Sequence, residues 1–341
     1  MNRVLANAFA LCVAALAMGC SPDAATPGKP AVPTPALSAG EEAGKELAAS
    51  DALAVGATTE GPAGFQTPAQ LEEAIGKANP GFTGKISVEM GEGGIAALSI
   101  SDPAIEDIRP LAGLPLSKLD LHGCHVSDIR ALEGMPLVVI DLSNTGISDI
   151  RVLKGMPLAM VYLENTRVAD ISALAGAPLI ELYLSQTPVA DISPLKGSPL
   201  ATLNLVDTQV EDLRPLAGGR LQSVWLNNTP VKDCAPLASN PVVSVTLADT
   251  KVSDISPFKG HPTLQRLHIA GSEVTDLAPL QWMDGLTRLI FTPGRIKTGL
   301  PQARKMRSIR QIGTSFGRPG EPEEMYPPEV FWAMYDAGRF N

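Results

Sequence analysis

The sequence predicts a stacked repeat protein of mixed α/β class, an array of short parallel strands joined by 3₁₀ or extended return segments. Three observations predict it. First, Leu119, Ile140, Val161, Leu182, Leu203, Val224 and Val245 recur at a step of 21 residues, and Leu267 and Leu289 follow at steps of 22. Each opens an apolar-x-apolar pair, from Leu119-Asp-Leu121 to Leu289-Ile-Phe291, and Leu98-Ser-Ile100 adds an earlier copy in register. Units this short bury their apolar faces only by stacking on neighbours. Second, the copies share the pattern P-L-x-x-L-x-L-x-x-T-x-V-x-D-I-x-P-L-x-G, whose first half alternates like a strand. Third, its second half is too short and too broken by Pro and Gly for an α-helix, so a turn of 3₁₀ or an extended segment fits it. About nine or ten strands side by side make the sheet.

In chain order, residues 1–19 carry one positive charge (Arg3) and an apolar run from Val4 to Met18, which is too short for a confident span and predicts a signal peptide. The run ends Ala17-Met18-Gly19-Cys20-Ser21, which resembles a bacterial lipobox, with Ala17 where Leu is usual. The resemblance implies that Cys20 is lipidated. Ser21 after it leans toward the outer membrane, so the expected location is the cell envelope, periplasmic or surface exposed. Residues 20–66 are rich in Ala, Pro, Gly, Thr and Glu with a single aromatic, Phe65, and predict an unstructured tether.

Residues 67–97 predict an N-terminal cap. It is a helix over 68–78 with Thr67 as N-cap, then a hairpin running into the first repeat. The repeats span 98–292. Residues 293–341 predict a C-terminal cap containing a helix that starts at Pro327-Pro328 and stops at Gly338. Val330, Phe331, Met334 and Tyr335 are expected on its buried side.

Two columns of the repeat read as structural. Thr145, Thr166, Thr187, Thr208, Thr229, Thr250 and Ser272 share one position, which Cys124 also occupies. Asp107, Asp128, Asp149, Asp170, Asp191, Asp212, Asp233, Asp254 and Asp276 share another, each just ahead of a turn where a carboxylate caps freed N–H groups. A calcium ladder is the rival reading of that acidic column, but the glycine-rich nonapeptide of calcium-binding solenoids is absent. Cys124 and Cys234 lie in distant repeats and read as small buried residues.

These residues resemble leucine-rich repeats, and the 21–22 spacing with a D-I-x-P-L second half resembles the short internalin type. The resemblance covers 98–292. It implies a right-handed leucine-rich-repeat solenoid with a concave parallel β-sheet and short 3₁₀ or extended convex segments. The tail, from Met306-Arg-Ser-Ile-Arg-Gln-Ile-Gly-Thr314 to Tyr335-Asp-Ala-Gly-Arg-Phe340, resembles the closing segment of repeat proteins from planctomycete-type bacteria. So does Asn79-Pro-Gly-Phe-Thr-Gly-Lys85. Some of that group carry a kinase domain, whose motifs this chain lacks.

Function is sought where the repeat fails to repeat. If the Leu-x-Leu pairs point inward, the residue between them faces out: Asp120, Asp141, Tyr162, Tyr183, Asn204, Trp225, Thr246, His268 and Ile290. Aromatic groups on a rigid scaffold are typical binding anchors. Tyr162, Tyr183, Asn204, Trp225 and His268, with Glu164, Glu181 and Asn227 in flanking columns, are therefore the candidate partner-binding residues. Aromatics merely covering one another on a sheet are the competing account.

The net charge is -9, from 27 Lys and Arg against 36 Asp and Glu, which argues against a nucleic-acid binder. His122, His125, His261 and His268 form no zinc-hydrolase spacing, and no G-x-S-x-G is present. Asp120 and Asp141 fall at a glycosidase-like separation, but an open sheet supplies no cleft that excludes water. No enzyme, cofactor or metal is expected. The expected function is a lipid-anchored, non-catalytic protein that binds a protein or glycan partner through the concave face. The alternative is a structural envelope component that self-associates or acts as a spacer.

Overall fold

The computed structural model describes residues 67–91, 94–315 and 324–340. All of them belong to one compact unit. The expected signal peptide (1–19), the lipidated Cys20 and the tether (20–66) lie outside the described residues.

The chain enters through α1 (Pro68–Ala78), with Thr67 as N-cap. The Thr67 side chain accepts from the Gln70 N–H while the Gln70 side chain accepts from the Thr67 N–H, a reciprocal capping box. Leu71 and Ile75 of this helix are buried. An antiparallel hairpin, β1 (Ser87–Gly91) and β2 (Gly94–Ser99), joins it to the array.

The repeats then lay down parallel strands one after another. They are β3 (Lys118–Asp120), β4 (Val139–Asp141), β5 (Met160–Tyr162), β6 (Glu181–Tyr183), β7 (Thr202–Asn204), β8 (Ser223–Trp225), β9 (Ser244–Thr246), β10 (Arg266–His268) and β11 (Arg288–Ile290). Pairing follows chain order, so each repeat sits beside its sequence neighbour and the sheet stays open. The inner apolar file is in register throughout: Leu98, Leu119, Ile140, Val161, Leu182, Leu203, Val224, Val245, Leu267 and Leu289 pair in succession. The ten repeat strands agree with the ten copies in the sequence. Among the described residues the sheet has thirteen, because the ends add β1, β12 (Gln311–Gly313) and β13 (Met325–Tyr326). β12 continues the parallel ladder beyond the last repeat, and β13 closes it antiparallel.

On the return side each repeat makes one short 3₁₀ turn, such as Arg130–Leu132 or Ser193–Leu195. Its leucine plugs the core; Leu132 and Leu195 are buried. The polar columns hold the turns in place. The hydroxyls of Thr145, Thr166, Thr187, Thr208, Thr229, Thr250 and Ser272 each donate to the carbonyl three residues earlier, at 2.6–2.7 Å. A buried carbonyl that leaves the strand ladder is thereby satisfied inside its own repeat. Just before each Thr from 145 to 250 stands Asn144, Asn165, Gln186, Asp207, Asn228 or Asp249 in the left-handed region, φ 52–59°. Asn and Asp tolerate that conformation best among residues with a Cβ. At the same position Gly123 and Gly271 supply it in the first and last of these turns (φ +73°).

The acidic column differs in one detail from its sequence reading. The residue at the turn boundary is the apolar one after the Asp, and the Asp precedes it. Asp107, Asp128, Asp149, Asp170, Asp191, Asp212, Asp233, Asp254 and Asp276 each accept the N–H two residues on, at 2.7–3.0 Å. The carboxylates therefore cap the turns through Asx-type loops. Arg109, Arg130, Arg151 and Arg214 add a fork onto the same carboxylates. The Arg130 and Arg151 guanidiniums hold Asp128 and Asp149 down to about 2. Cys124 and Cys234 are buried and free, and burial pushes both thiols up.

At the far end, α2 (Leu300–Lys305) leads to β12, and α3 (Pro328–Asp336) closes the core. Its buried side corrects the sequence expectation. Phe331 is buried and Tyr335 packs partly buried against the core as expected, but Trp332 is buried in place of Val330, which is 42% exposed. Phe331 packs on Phe291 at 5.6 Å and on Phe340 at 4.9 Å, so the last repeat's own aromatic selects the face of the helix that docks.

Candidate functional site

The outward file between the apolar pairs is assembled as its alternation predicts. Asp120, Asp141, Tyr162, Tyr183, Asn204, Trp225, Thr246, His268 and Ile290 stand in one row across β3 to β11. Adjacent strands lie about 4.8 Å apart, so neighbouring side chains are forced into contact. Tyr162 and Tyr183 stack with ring centroids 5.1 Å apart. Tyr183 and Trp225 stack at 6.4 Å, although Asn204 lies between them in the file.

This contact changes what the file offers. Tyr162 is only 5% exposed and Tyr183 8%, while Trp225 remains half-buried. The tyrosines are therefore not free-standing anchors but parts of a packed aromatic platform whose ring faces are turned on each other. The Tyr162 hydroxyl donates to Glu181 Oε2 at 3.1 Å. Burial, and next the Glu181 carboxylate, push its pKa above the ordinary phenol range. Burial pushes the Tyr183 phenol up to about 12. Neither tyrosine ionises at physiological pH, so both remain neutral donors.

Beside the platform stand the other candidates. Glu164 Oε1 accepts from Ser185 at 2.7 Å and from Asn204 at 3.4 Å. Asn204 also caps its own strand end by accepting the Val206 N–H. Asp141 accepts the Ser143 N–H at 2.8 Å and lies in the field of His122. Burial raises the carboxyls of both Asp141 and Glu164 above their ordinary values. Asn227 Oδ1 and Thr246 Oγ1 are buried on this face without a hydrogen-bond partner among the described residues. Such atoms are rare in native proteins and mark unused polar capacity.

His268 lies at the far end of the file, buried at 6% exposure between Thr246 and Ile290. It is brought into the row but is six residues of the file away from Asp141. Burial lowers its pKa to about 4. The unfolded imidazole titrates near 6.5, so the folded state loses stability as pH falls from that value toward 4. At pH 5 about 2 kcal/mol of the His268 contribution should be gone. Urea midpoints of wild type and His268→Gln at pH 7 and pH 5 check this. Wild type should lose more on acidification, and an identical loss in both proteins would refute it.

One element of the face escaped the sequence reading. Val138 and Ile180, 36% and 45% exposed, flank half-buried Val139, Ala159 and Met160 along the strand starts. The signal was present, since other repeats fill these two columns mostly with Ser, Thr, Gln or charged residues. The result is an aliphatic lip beside the aromatic platform.

No protein-family model matches the chain, and no curated protein matches it either. Solved structures do. An internalin (InlF) from Listeria monocytogenes is 20% identical over 72% of this chain and 88% of that one, with a TM-score of 0.55. An internalin C2 from the same organism is 24% identical, covers 65% of this chain and 92% of that one, and has a TM-score of 0.44. A leucine-rich-repeat protein from Leptospira interrogans is 20% identical over 58% of this chain and 54% of that one, at 0.45. The InlF likeness, with the open sheet and its 3₁₀ returns, shows the fold to be a leucine-rich-repeat solenoid.

Proposed function

We propose that this chain is a non-catalytic binding protein that engages a protein partner through the face of its sheet. One observation carries the reading: the stacked file of Tyr162, Tyr183 and Trp225, bordered by an exposed aliphatic lip on a rigid scaffold. Large aromatic groups already ordered by their neighbours lose little conformational entropy when a partner seats on them. Glu164, Glu181, Asn204 and Asn227 supply polar contacts around the platform, and His268 marks its far end. A glycan fits less well than a protein. Sugar rings stack on open aromatic planes, and here the tyrosine planes are occupied by each other.

The test is affinity capture from envelope extracts with the wild-type chain and two variants. Trp225→Ser removes the most accessible ring, and Tyr162→Ser/Tyr183→Ser/Trp225→Ser removes the platform. A hot-spot aromatic contributes about 2 kcal/mol or more, so Trp225→Ser should weaken a specific partner about thirtyfold. Retained capture by a folded triple variant would exclude the platform as the site. Self-association of the wild type with no captured partner would instead favour a structural spacer.

The reading includes an anchor at Cys20, in the envelope and with the outer membrane favoured; the lipobox-like Ala17-Met18-Gly19-Cys20 supports it. Labelled palmitate should enter the wild-type chain in a Gram-negative host and be lost in Cys20→Ser. Equal labelling of the two would rule the anchor out.

A further inference from the structure

We infer that the partner presents a basic, extended segment whose Lys or Arg side chains lie over β4 to β7 and whose aliphatic side chains rest on the lip. The inference rests on the protein-binding reading and adds the chemistry of the partner.

The charge pattern of the face carries it. From β4 to β8 the outward positions contain Asp141, Glu164 and Glu181 and not one Lys or Arg. Elsewhere in the described residues the carboxylates of Asp107, Asp128, Asp149, Asp212 and Glu211 are matched by an Arg or Lys of this chain, and Asp191, Asp233, Asp254 and Asp276, which have neutral partners only, stand exposed to water at the turns, unlike the half-buried carboxylates of the face. On the face the partners are neutral: a serine N–H for Asp141, Ser185 and Asn204 for Glu164, and the Tyr162 hydroxyl for Glu181. Asp141 and Glu164 thus lie in each other's field on a partly desolvated surface, with His122 beside them but no Lys or Arg at the outward positions, an arrangement that like-charge repulsion and burial both disfavour. A guanidinium or ammonium from outside would supply the missing charge.

The lip sets the second half of the specificity. Val138 and Ile180 stand two strands apart on its rim, exposed, beside Met160. That spacing is about 9.6 Å. A residue in an extended chain recurs on one side every 6.6–6.8 Å, so a segment crossing the strands obliquely meets the carboxylates with one set of side chains and the lip with another. Arg266 and Arg288, at the C-terminal end of the same face, would repel such a segment and confine it to the acidic half.

Panning the full-length protein against a random peptide phage library tests the inference. Enriched peptides should be rich in Lys or Arg with interspersed aliphatics. A synthetic copy should bind less tightly as salt rises. Glu164→Gln/Glu181→Gln should weaken it about tenfold or more, Ile180→Ser should weaken it measurably, and Arg266→Gln should leave it unchanged or tighter. Circular dichroism establishes that each variant is folded. Enrichment of acidic or neutral peptides that still require Trp225 overturns the basic-segment inference while leaving the protein-binding reading standing. No enrichment above a bare support, or binding of a soluble oligosaccharide alone, overturns both.

Discussion

Phe331→Ala is expected to remove about 3–5 kcal/mol and to open the C-terminal end of the array first. Phe331 is fully buried and touches Phe291, Trp332 and Phe340 with centroids 4.9–5.6 Å apart. It therefore ties the last repeat to the closing helix, and β12 and β13 depend on that lid to stay paired. Stability in a stacked array is a sum of local and nearest-neighbour terms, so loss of a cap frays the adjoining units before the middle. Hydrogen exchange should show amides of β11 and β12 losing protection while those of β4 to β6 keep theirs. Equal loss along the whole chain would contradict this.

Leu182→Ala should act in the opposite way, from the centre. Leu182 is fully buried in β6 and pairs with Val161 on one side and Leu203 on the other. Truncation leaves a void between three repeats at a cost of about 2–5 kcal/mol. With a denaturant slope of about 2–3 kcal/mol per molar urea, the midpoint should fall by roughly 1–2 M. Because the defect splits the array, the transition should also broaden or divide, so a two-state fit is not the proper analysis. Ile180→Ala, two residues away but 45% exposed, should change stability by less than about 0.5 kcal/mol. Comparable losses from Leu182→Ala and Ile180→Ala would show that the assigned inner and outer faces are wrong.

Much of the fold was legible because stacking repeats the same demand every 21 or 22 residues. Leu182 looks like Leu119 and Leu203 in sequence because each meets the same neighbours in space. The capping role of the Asp column was legible for the same reason, but not its position. An acceptor ahead of a turn can reach either of two N–H groups, and the choice depends on where the 3₁₀ turn begins. At the C-terminal helix the repeat no longer helps. Nine residues are compatible with two neighbouring apolar stripes, and contact with Phe291 selects the one holding Trp332 in place of Val330. β12 and β13 were unannounced, since neither carries the apolar-x-apolar pair in the repeat register.

The candidate site divides in the same manner. That Tyr162, Tyr183 and Trp225 share an outward file follows from strand alternation, a local property of the chain, and so do the Thr and Asp columns. Their burial does not follow. Whether a side chain on a sheet face stands free depends on what the strands on either side place about 4.8 Å away, and those neighbours are 21 residues off in sequence. The sequence by itself therefore determined the solenoid, the order of its strands and which residues face outward. Only the tertiary structure decided that the tyrosines form a closed stack, that Glu181 accepts the Tyr162 hydroxyl, and that Val138 and Ile180 make an exposed lip. Periodicity is written along the chain, whereas lateral packing is settled between chain segments.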